Sequence, residues 1–555
     1  MSEAAAEATG TNALPHREKL LASAWQWTEP RLVAAAEWAN PILVKETRQA
    51  LKSRQFVATF LIVLIACWVV SIGGVVLIGP RIRYEAAGGV MLLVYYAVLA
   101  FPLTVIVPYS AFRSIASERE DNTYDLLSIS TLTPWQIIAG KLGSALLQML
   151  VFLSAVSPCI GFTFLLKGVD VLTVALLIGY AALASLGLSA VALLSGTLVQ
   201  VRYSQVIVSV GLVVTLMGAF YGMILFAQSF IRDSYLVLQE EEFWIVNLAL
   251  LTLYATTFAI VSCAAAMRIS FASENRSTPL RRLLLLQQAC FVGWIAAIAH
   301  EEGLRSLPGA VAATTIVLSV YWYLAGTLMT SEWPFFSRRV QRSLPASKLG
   351  RWLLTWLNPG PGTGYMLAVS NMTGVVTVGL TIALVFGAFG TGGPSRADLV
   401  YFCLLSWGYV VALLGIGAML TRLLRKYIFV SMPAGFLMHA IVFLAACGVP
   451  QVIHFMYYST SFTSASPMTH VSNPVWTLAR LIEDGAGSVD ALTLTTIVLT
   501  AAAITLLLNL RWIAAETQPR RAVLPERVEF DEQQLHPEPE PKPSNPWDRE
   551  AAEGV

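Results

Sequence analysis

Long apolar stretches separated by short polar segments run along most of this chain. An α-helix rises about 1.5 Å per residue, so roughly 20 apolar residues cross the hydrocarbon core of a bilayer. Twelve stretches reach or approach that length, and the pattern predicts an all-α, polytopic transmembrane helix bundle. The predicted spans are 56–79, 87–112, 142–166, 169–198, 205–227, 243–269, 284–299, 309–330, 365–390, 399–421, 428–458 and 491–513.

The composition supports a membrane protein rather than several soluble domains. Charged residues make up 13% of the 555 residues and hydrophobic residues 56%, whereas a typical globular domain is about 25% charged. Too few charges are present to cover that much apolar surface in water. The expected surroundings are therefore a lipid bilayer. The net charge of +2 gives no sign of nucleic-acid binding.

The positions of Lys and Arg predict the orientation. If the twelve spans alternate and both termini are cytoplasmic, the short cytoplasmic loops hold about twice as many Lys and Arg as the external loops. Short cytoplasmic loops of membrane proteins carry this excess. We therefore expect both termini in the cytoplasm and the chain in the inner, cytoplasmic membrane of the cell.

The predicted cytoplasmic N-terminal segment, residues 1–55, ends in an amphipathic stretch. Its first part has no apolar core of the kind found in secretory signal peptides. In residues 40–56, NPILVKETRQALKSRQF, Asn40 can cap a helix and Pro41 suits its first position. A narrow apolar stripe faces away from the cations, which predicts a helix lying flat in the membrane interface. A soluble lead-in helix is the alternative.

The most polar internal segment lies between the second and third spans and reads SIASEREDNTYDLLSISTLTPWQIIAGKL. Ser117 with Glu120, and Thr133 with Gln136, match the capping-box pattern. They predict a short helix over about 118–129, a turn, and a second helix that leads into the third span. A compact charged helix held at both ends suits docking of a cytoplasmic partner, although a plain connecting loop is also compatible with the residues.

A flat amphipathic helix, a pair of spans and the pattern ERE..T.DLL...TP......GK resemble the membrane subunit of an ABC transporter, the ABC-2 type permease. The resemblance covers about the first 270 residues. One departure is Asn122, where the family usually has glycine, and Asn also tolerates a left-handed backbone. The matching positions are Glu118, Arg119, Glu120, Thr123, Asp125, Leu126, Leu127, Pro134, Gly140 and Lys141.

The resemblance implies a function for these ten positions. In that family the segment after the Glu-Arg-Glu run forms a coupling helix that seats in a groove of a separate ATPase subunit. ATP would then be bound and hydrolysed by the partner, so for this chain we expect no enzymatic activity and no cofactor. Residues 56–270 would be a six-span permease half.

The second half, residues 271–513, repeats the topology less clearly. Six further spans follow at an offset of roughly 220 residues, and Glu332 falls near the position of Glu118. We interpret it as a degenerate second six-span half. Residues 472–485 resemble short external helices that precede the last span in the family. The Pro/Glu-rich tail, 514–555, is expected to be disordered and cytoplasmic.

Other chemistries find little support in the sequence. Loop 358–364, NPGPGTG, lacks the Walker pattern and is predicted to be a structural turn into the ninth span. The six cysteines lie in apolar segments without CxxC spacing, and His439 is expected to be a hydrogen-bonded core residue. No catalytic or metal-binding constellation is predicted.

These observations favour a membrane-spanning permease subunit of an ATP-driven ABC exporter, coupled to a separate ATPase. An ATP-independent secondary carrier or a membrane scaffold is the alternative. The transported substrate is not indicated, and pairing with an identical or a different permease stays open.

Overall fold

The computed structural model describes the chain from residue 40 to residue 535 with gaps, and all structural statements concern those residues. The described ranges are 40–78, 88–120, 132–166, 168–199, 202–271, 273–303, 306–333, 337–342, 344, 347, 349–350, 354–385, 395–458, 467–485, 490–517 and 526–535. Within these ranges the ordered elements are helices and no strand occurs.

The helices are labelled in chain order. They are α1 (Pro41–Lys52), α2 (Arg54–Ile78), α3 (Gly88–Phe101), α4 (Val107–Glu120), α5 (Pro134–Leu165), α6 (Val171–Leu198), α7 (Arg202–Val237), α8 (Glu241–Ile269), α9 (Thr278–Glu302), α10 (Leu307–Thr330), α11 (Arg338–Arg342), α12 (Pro361–Val385), α13 (Arg396–Arg425), α14 (Met432–Tyr458), α15 (Pro474–Asp484), α16 (Ala491–Thr517) and α17 (Glu526–Leu535). Short 3₁₀ turns cover Thr355–Leu357 and Pro467–His470.

Twelve helices in the described ranges are long and apolar enough to cross a membrane, which confirms the predicted all-α polytopic bundle. Several begin or end outside the predicted apolar runs. The second span continues to Glu120 rather than 112, and the third begins at Pro134 rather than 142. The seventh covers Thr278–Glu302 rather than 284–299. Polar residues near helix ends can reach water, so an apolar run marks only the middle of such a helix. The orientation stays a prediction.

A first compact unit contains the first seven spans. Its apolar core follows α3 and α5, where Tyr95 and Phe152 are completely buried. Phe152 packs edge-on against Phe56 with ring centroids 5.2 Å apart, and the hydroxyls of Tyr95 and Ser71 lie 2.7 Å apart. These contacts join the beginning of α2 to α5 and the later part of α2 to the middle of α3.

The second span contains one turn of π-helix, Pro102–Ile106, between α3 and α4. Proline has no N–H, and its ring clashes with the carbonyl group four residues earlier in a helix, so it interrupts regular helical hydrogen bonding. A wider turn accommodates that interruption without ending the helix. The span therefore continues to its polar end at Glu120.

A second compact unit contains the last five spans. Its central helix is α13, and 72% of the most apolar stretch of this helix is buried. His439 of α14 is fully buried, with Nδ1 2.9 Å from the Gly435 carbonyl and Nε2 3.1 Å from the Thr330 hydroxyl. A Cβ at Gly417 would overlap this imidazole, so the glycine provides its space. The predicted hydrogen-bonded core histidine is confirmed.

The boundary between the compact units follows the seventh span, at Gly303. The predicted halves, 56–270 and 271–513, concern a sequence repeat. Compact units are defined by contacts between residues, and such contacts do not test whether the sequence contains a repeat. The two six-span halves therefore stay a prediction.

Two local expectations in the second unit can be compared with the structure. Of the turn predicted over 358–364, residues 358–360 precede α12, whereas residues 361–364 already belong to that helix. The Gly360 N–H donates to Glu332 Oε2 at 2.9 Å. The turn is therefore held by hydrogen bonding to a carboxylate. The helix expected within 472–485 is α15.

The terminal segments are described only in part. In the Pro/Glu-rich tail predicted to be disordered, α16 continues to Thr517 and residues Glu526–Leu535 form α17. That ten-residue stretch, ERVEFDEQQL, contains no proline and is rich in helix-forming Glu, Gln, Arg and Leu, which explains the difference from the expectation. Residues 1–39, 518–525 and 536–555 lie outside the described ranges.

Candidate functional site

The amphipathic helix predicted near the N-terminus is α1. Asn40 caps it, because its Oδ1 accepts from the Ile42 N–H at 3.0 Å, and Pro41 occupies the first helical position. The Asn40 side-chain amide also donates to the Gln136 carbonyl in the first turn of α5. At the other end Ser53 is extended, and α2 begins at Arg54. The cap therefore attaches α1 to α5, and a one-residue break attaches it to the first span.

The predicted capping box at the start of α5 is confirmed. The Thr133 hydroxyl accepts from the Gln136 N–H at 3.3 Å, and Gln136 Oε1 accepts from the Thr133 N–H at 2.8 Å. Pro134, one of the predicted coupling residues, is the first residue of the helix. Its missing N–H costs nothing there, because the first amides of a helix have no partner within the helix.

Glycines on α5 allow α1 to lie unusually close. A Cβ added to Gly140 would lie 2.9 Å from the Ile42 Cβ and 3.1 Å from the Leu43 backbone nitrogen. A Cβ at Gly143 would lie 2.8 Å from Leu43 Cδ1. Real Cβ atoms essentially never lie within 3.0 Å of another atom, so a side chain at Gly140 would push the helices apart, whereas one at Gly143 would displace the flexible end of the Leu43 side chain. Gly140, a predicted coupling residue, is therefore part of the seat of α1.

Lys141 lies beside that seat and is almost completely buried, with its side chain 1% exposed. Its Nζ is 2.9 Å from Glu46 Oε1 and 3.1 Å from Glu118 Oε1. It also donates to the Ser114 carbonyl at 3.2 Å. Lys45 adds a longer contact to Glu118, at 3.6 Å. We call these four charged residues, Lys45, Glu46, Glu118 and Lys141, the Lys141 cluster.

The Lys141 cluster connects three helices with balanced charge. Glu46 comes from α1, Glu118 from the last turn of α4 and Lys141 from α5. Two cations face two carboxylates, so the formal charges of the cluster balance, with Lys141 buried and Lys45 exposed. Removing one partner of a buried ion pair leaves the other uncompensated and costs about 3–5 kcal/mol. The contact of the 60% exposed Lys45 is a surface pair, worth at most about 1 kcal/mol.

The predicted helix start at Ser117 is wrong. Helix α4 begins at Val107 and passes through Ser117 without a break, so Glu118–Glu120 form the end of the second span. Glu118 is 9% exposed, and its carboxylate faces the buried Lys141. The predicted helix over 118–129 placed the Glu118 carboxylate in solvent. In the structure that carboxylate pairs with a buried lysine instead. Of the helix predicted over 118–129, the part from residue 121 onward lies outside the described residues.

The other two residues of the Glu-Arg-Glu run contact different helices. Arg119 donates to the Thr197 carbonyl near the end of α6 at 2.9 Å. Glu120 accepts from the Gln205 side-chain amide near the start of α7. The run therefore fixes the end of the second span to neighbouring helices, and it forms the base from which residues 121–131 leave.

The structure brings only some of the predicted coupling residues together. Glu118, Gly140 and Lys141 lie at the contact of α1, α4 and α5, whereas Pro134 lies at the start of α5. Thr123, Asp125, Leu126 and Leu127 lie outside the described residues.

Sequence reasoning missed Glu46. It is the one acidic residue in α1, PILVKETRQALK, among three cations. It is also buried on the helix face that carries Ile42, four residues earlier. A lone carboxylate next to the apolar face of a basic helix could have indicated a buried cation in a neighbouring helix.

No group of three or more His, Cys, Asp or Glu residues in the described ranges is arranged to hold a metal ion. Comparison of the chain with protein-family models, curated proteins and solved structures finds no match in any of the three. The resemblance to ABC-2 type permeases accordingly stays a prediction.

Proposed function

We propose that this chain is the membrane-spanning permease subunit of an ATP-driven ABC exporter in the cytoplasmic membrane. A separate ATPase subunit would bind the segment that follows Glu120. The twelve apolar helices support a multi-pass membrane protein, and the ten residues shared with the family pattern support the coupling to an ATPase.

The observation that carries the proposal is the bridge from Lys141 to Glu46 and Glu118. Segment 121–131 begins one residue after α4, and the buried bridge joins the end of α4 to α1 and α5. A displacement imposed on the segment by a partner would therefore move three helices together rather than bend one. Rigid elements that move as a body in this way are what alternating access requires.

Co-purification tests the proposed partnership. The full chain would be purified from membranes of its own host, and associated proteins with Walker motifs would be identified by mass spectrometry. We expect such an ATPase with the wild-type chain and at least a tenfold reduction with Asp125→Lys, because charge reversal should disrupt docking. Glu118 is unsuitable for this test, since its reversal would bury an unpaired cation beside Lys141.

A matched charge reversal, Glu241→Lys at the start of α8, controls for general effects of the added charge. It should retain the ATPase, and both variants should insert and elute like the wild type. A wild-type chain without any ATPase, or one whose transport activity follows an ion gradient and ignores ATP, would instead support a secondary carrier. Unchanged ATPase recovery with Asp125→Lys would contradict a coupling function for the segment.

A further inference from the structure

A basic stripe runs along the exposed face of α1. Lys45, Arg48 and Lys52 are all exposed, and their spacing of three and four residues places them on one side of the helix. Together with Gln49 and Ser53, they line a shallow open depression of about 610 Å³. The stripe thus offers three cations within about 10 Å along the helix axis.

The other face of α1 fixes the direction in which the stripe points. Ile42 and Glu46 are buried; Ile42 packs on Gly140 and Glu46 pairs with Lys141. The single carboxylate of α1 is therefore used on the inner face and cannot neutralise Arg48 or Lys52. Within the described residues, Lys45 is the one cation of the stripe with an ion pair, to Glu118 at 3.6 Å, and it remains 60% exposed.

The first span begins one residue after α1. Only 11% of the most apolar stretch of α2 is buried. The side chains of Val57, Leu61 and Ile65 on this helix are about half exposed or more. An apolar surface of this kind on a span contacts lipid acyl chains. Lipids whose chains lie along α2 hold their headgroups at the level where α2 begins, beside the basic stripe.

We propose that the basic stripe of α1, formed by Lys45, Arg48 and Lys52, is a binding site for the phosphate headgroups of anionic phospholipids. The acyl chains of these lipids would lie along the exposed face of α2. Charge complementarity selects the headgroup, and the apolar surface beginning at Val57 makes a lipid a better match than a soluble protein. The proposal depends on the transmembrane assignment of α2 and does not depend on an ATPase partner.

The strength of the interaction follows from the number of cations. Each Lys or Arg near an anionic bilayer surface contributes about 1 kcal/mol, which is about a fivefold change in affinity. Neutralising all three should weaken the binding of an anionic lipid by roughly 125-fold, or by roughly 25-fold if Lys45 is already paired with Glu118.

The test uses the full chain purified in detergent and equilibrated with mixed micelles of phosphatidylglycerol and phosphatidylcholine. Bound lipids are quantified by mass spectrometry after removal of the excess. The variant Lys45→Gln/Arg48→Gln/Lys52→Gln is compared with Arg232→Gln/Lys426→Gln/Arg511→Gln, which removes the same charge from exposed positions elsewhere. Lys45→Arg/Lys52→Arg preserves the charge of the stripe and controls for changes in side-chain shape.

The wild type, the charge-preserving variant and the matched control should all enrich phosphatidylglycerol, and the Gln variant of the stripe should lose that enrichment. Because phosphatidylcholine also carries a phosphate, the comparison distinguishes net anionic charge from phosphate alone. A wild type without a preference for phosphatidylglycerol would overturn the proposal, as would a stripe variant that keeps it. A stripe variant that keeps the lipid but loses a co-purifying protein would identify a protein-docking face instead.

Discussion

Lys141 is the residue on which the described junction depends most. It is buried between two carboxylates from different helices, and each lies close enough for a charge-assisted hydrogen bond. Removing this ammonium group would leave the Glu46 and Glu118 carboxylates buried without the buried cation that now contacts both of them, and Lys45 is 60% exposed.

We predict that Lys141→Met lowers the free energy of unfolding by about 3–5 kcal/mol, the cost of leaving a buried charge without its partner. Thermal unfolding of the purified chain in detergent would measure the loss. The triple variant Glu46→Gln/Glu118→Gln/Lys141→Met should recover much of it, since no unpaired carboxylate then remains.

Lys426→Met is the control, because this lysine is exposed after the end of α13. It should change stability by less than about 0.5 kcal/mol. Equal stability losses for Lys141→Met and Lys426→Met, or no recovery in the triple variant, would show that the Lys141 cluster does not hold the three helices together.

The residues of this junction were predictable only in part. Glu118, Gly140 and Lys141 could be selected from the sequence because they match a family pattern. The direction in which Glu118 points could not, since a carboxylate near a helix end is equally compatible with water and with a buried lysine. Glu46 was overlooked because its partner lies 95 positions away in the chain.

At the scale of helices, the contact of α1 with α5 depends on the absence of side chains at two glycines. Gly140 lets the α1 backbone approach α5 directly, and Gly143 leaves space for the Leu43 side chain. Small residues at such positions are a general means of close helix packing in membranes. Here they also bring Glu46 within reach of Lys141, so packing and charge pairing depend on the same geometry.

We predict different effects on stability for two Gly→Ala substitutions on α5. Gly140→Ala should destabilise the chain by about 1–3 kcal/mol, because its methyl group would overlap Ile42. Gly161→Ala has no atom within 4 Å of the new methyl group, and should be neutral or stabilising by up to about 1 kcal/mol through helix propensity. Thermal unfolding of both variants makes the comparison, and equal effects would argue against the close seat.

Helix existence was easier to predict than helix ends. Apolar runs located all twelve spans, and the capping box at Thr133 was correctly recognised. The same pattern at Ser117 was misleading, because α4 continues through it. A capping box stabilises a helix start only where the preceding residues leave the helix, and tertiary contacts at Glu118 and Arg119 favour continuation.

At the scale of the whole molecule, composition alone indicated a multi-pass membrane protein, and the twelve described spans agree. The grouping of seven spans in one compact unit and five in the other was not predictable from the sequence. The apolar pattern of a sequence shows which residues are kept from water. Because every membrane span is apolar over most of its length, this pattern is similar in all twelve spans and does not show which of them pack together. Which helices pack together depends instead on glycines and polar pairs such as those at Gly140 and Lys141.

Site-specific photo-crosslinking can show whether a separate ATPase binds the segment between α4 and α5, as we propose. A photoreactive residue would replace Thr123 in the full chain expressed in its own host, with a second chain carrying it at Glu240 as the control. We expect an adduct between position 123 and a protein with Walker motifs, and none from position 240. Absence of that adduct from a correctly inserted chain, or equal adducts from both positions, would contradict the proposed binding.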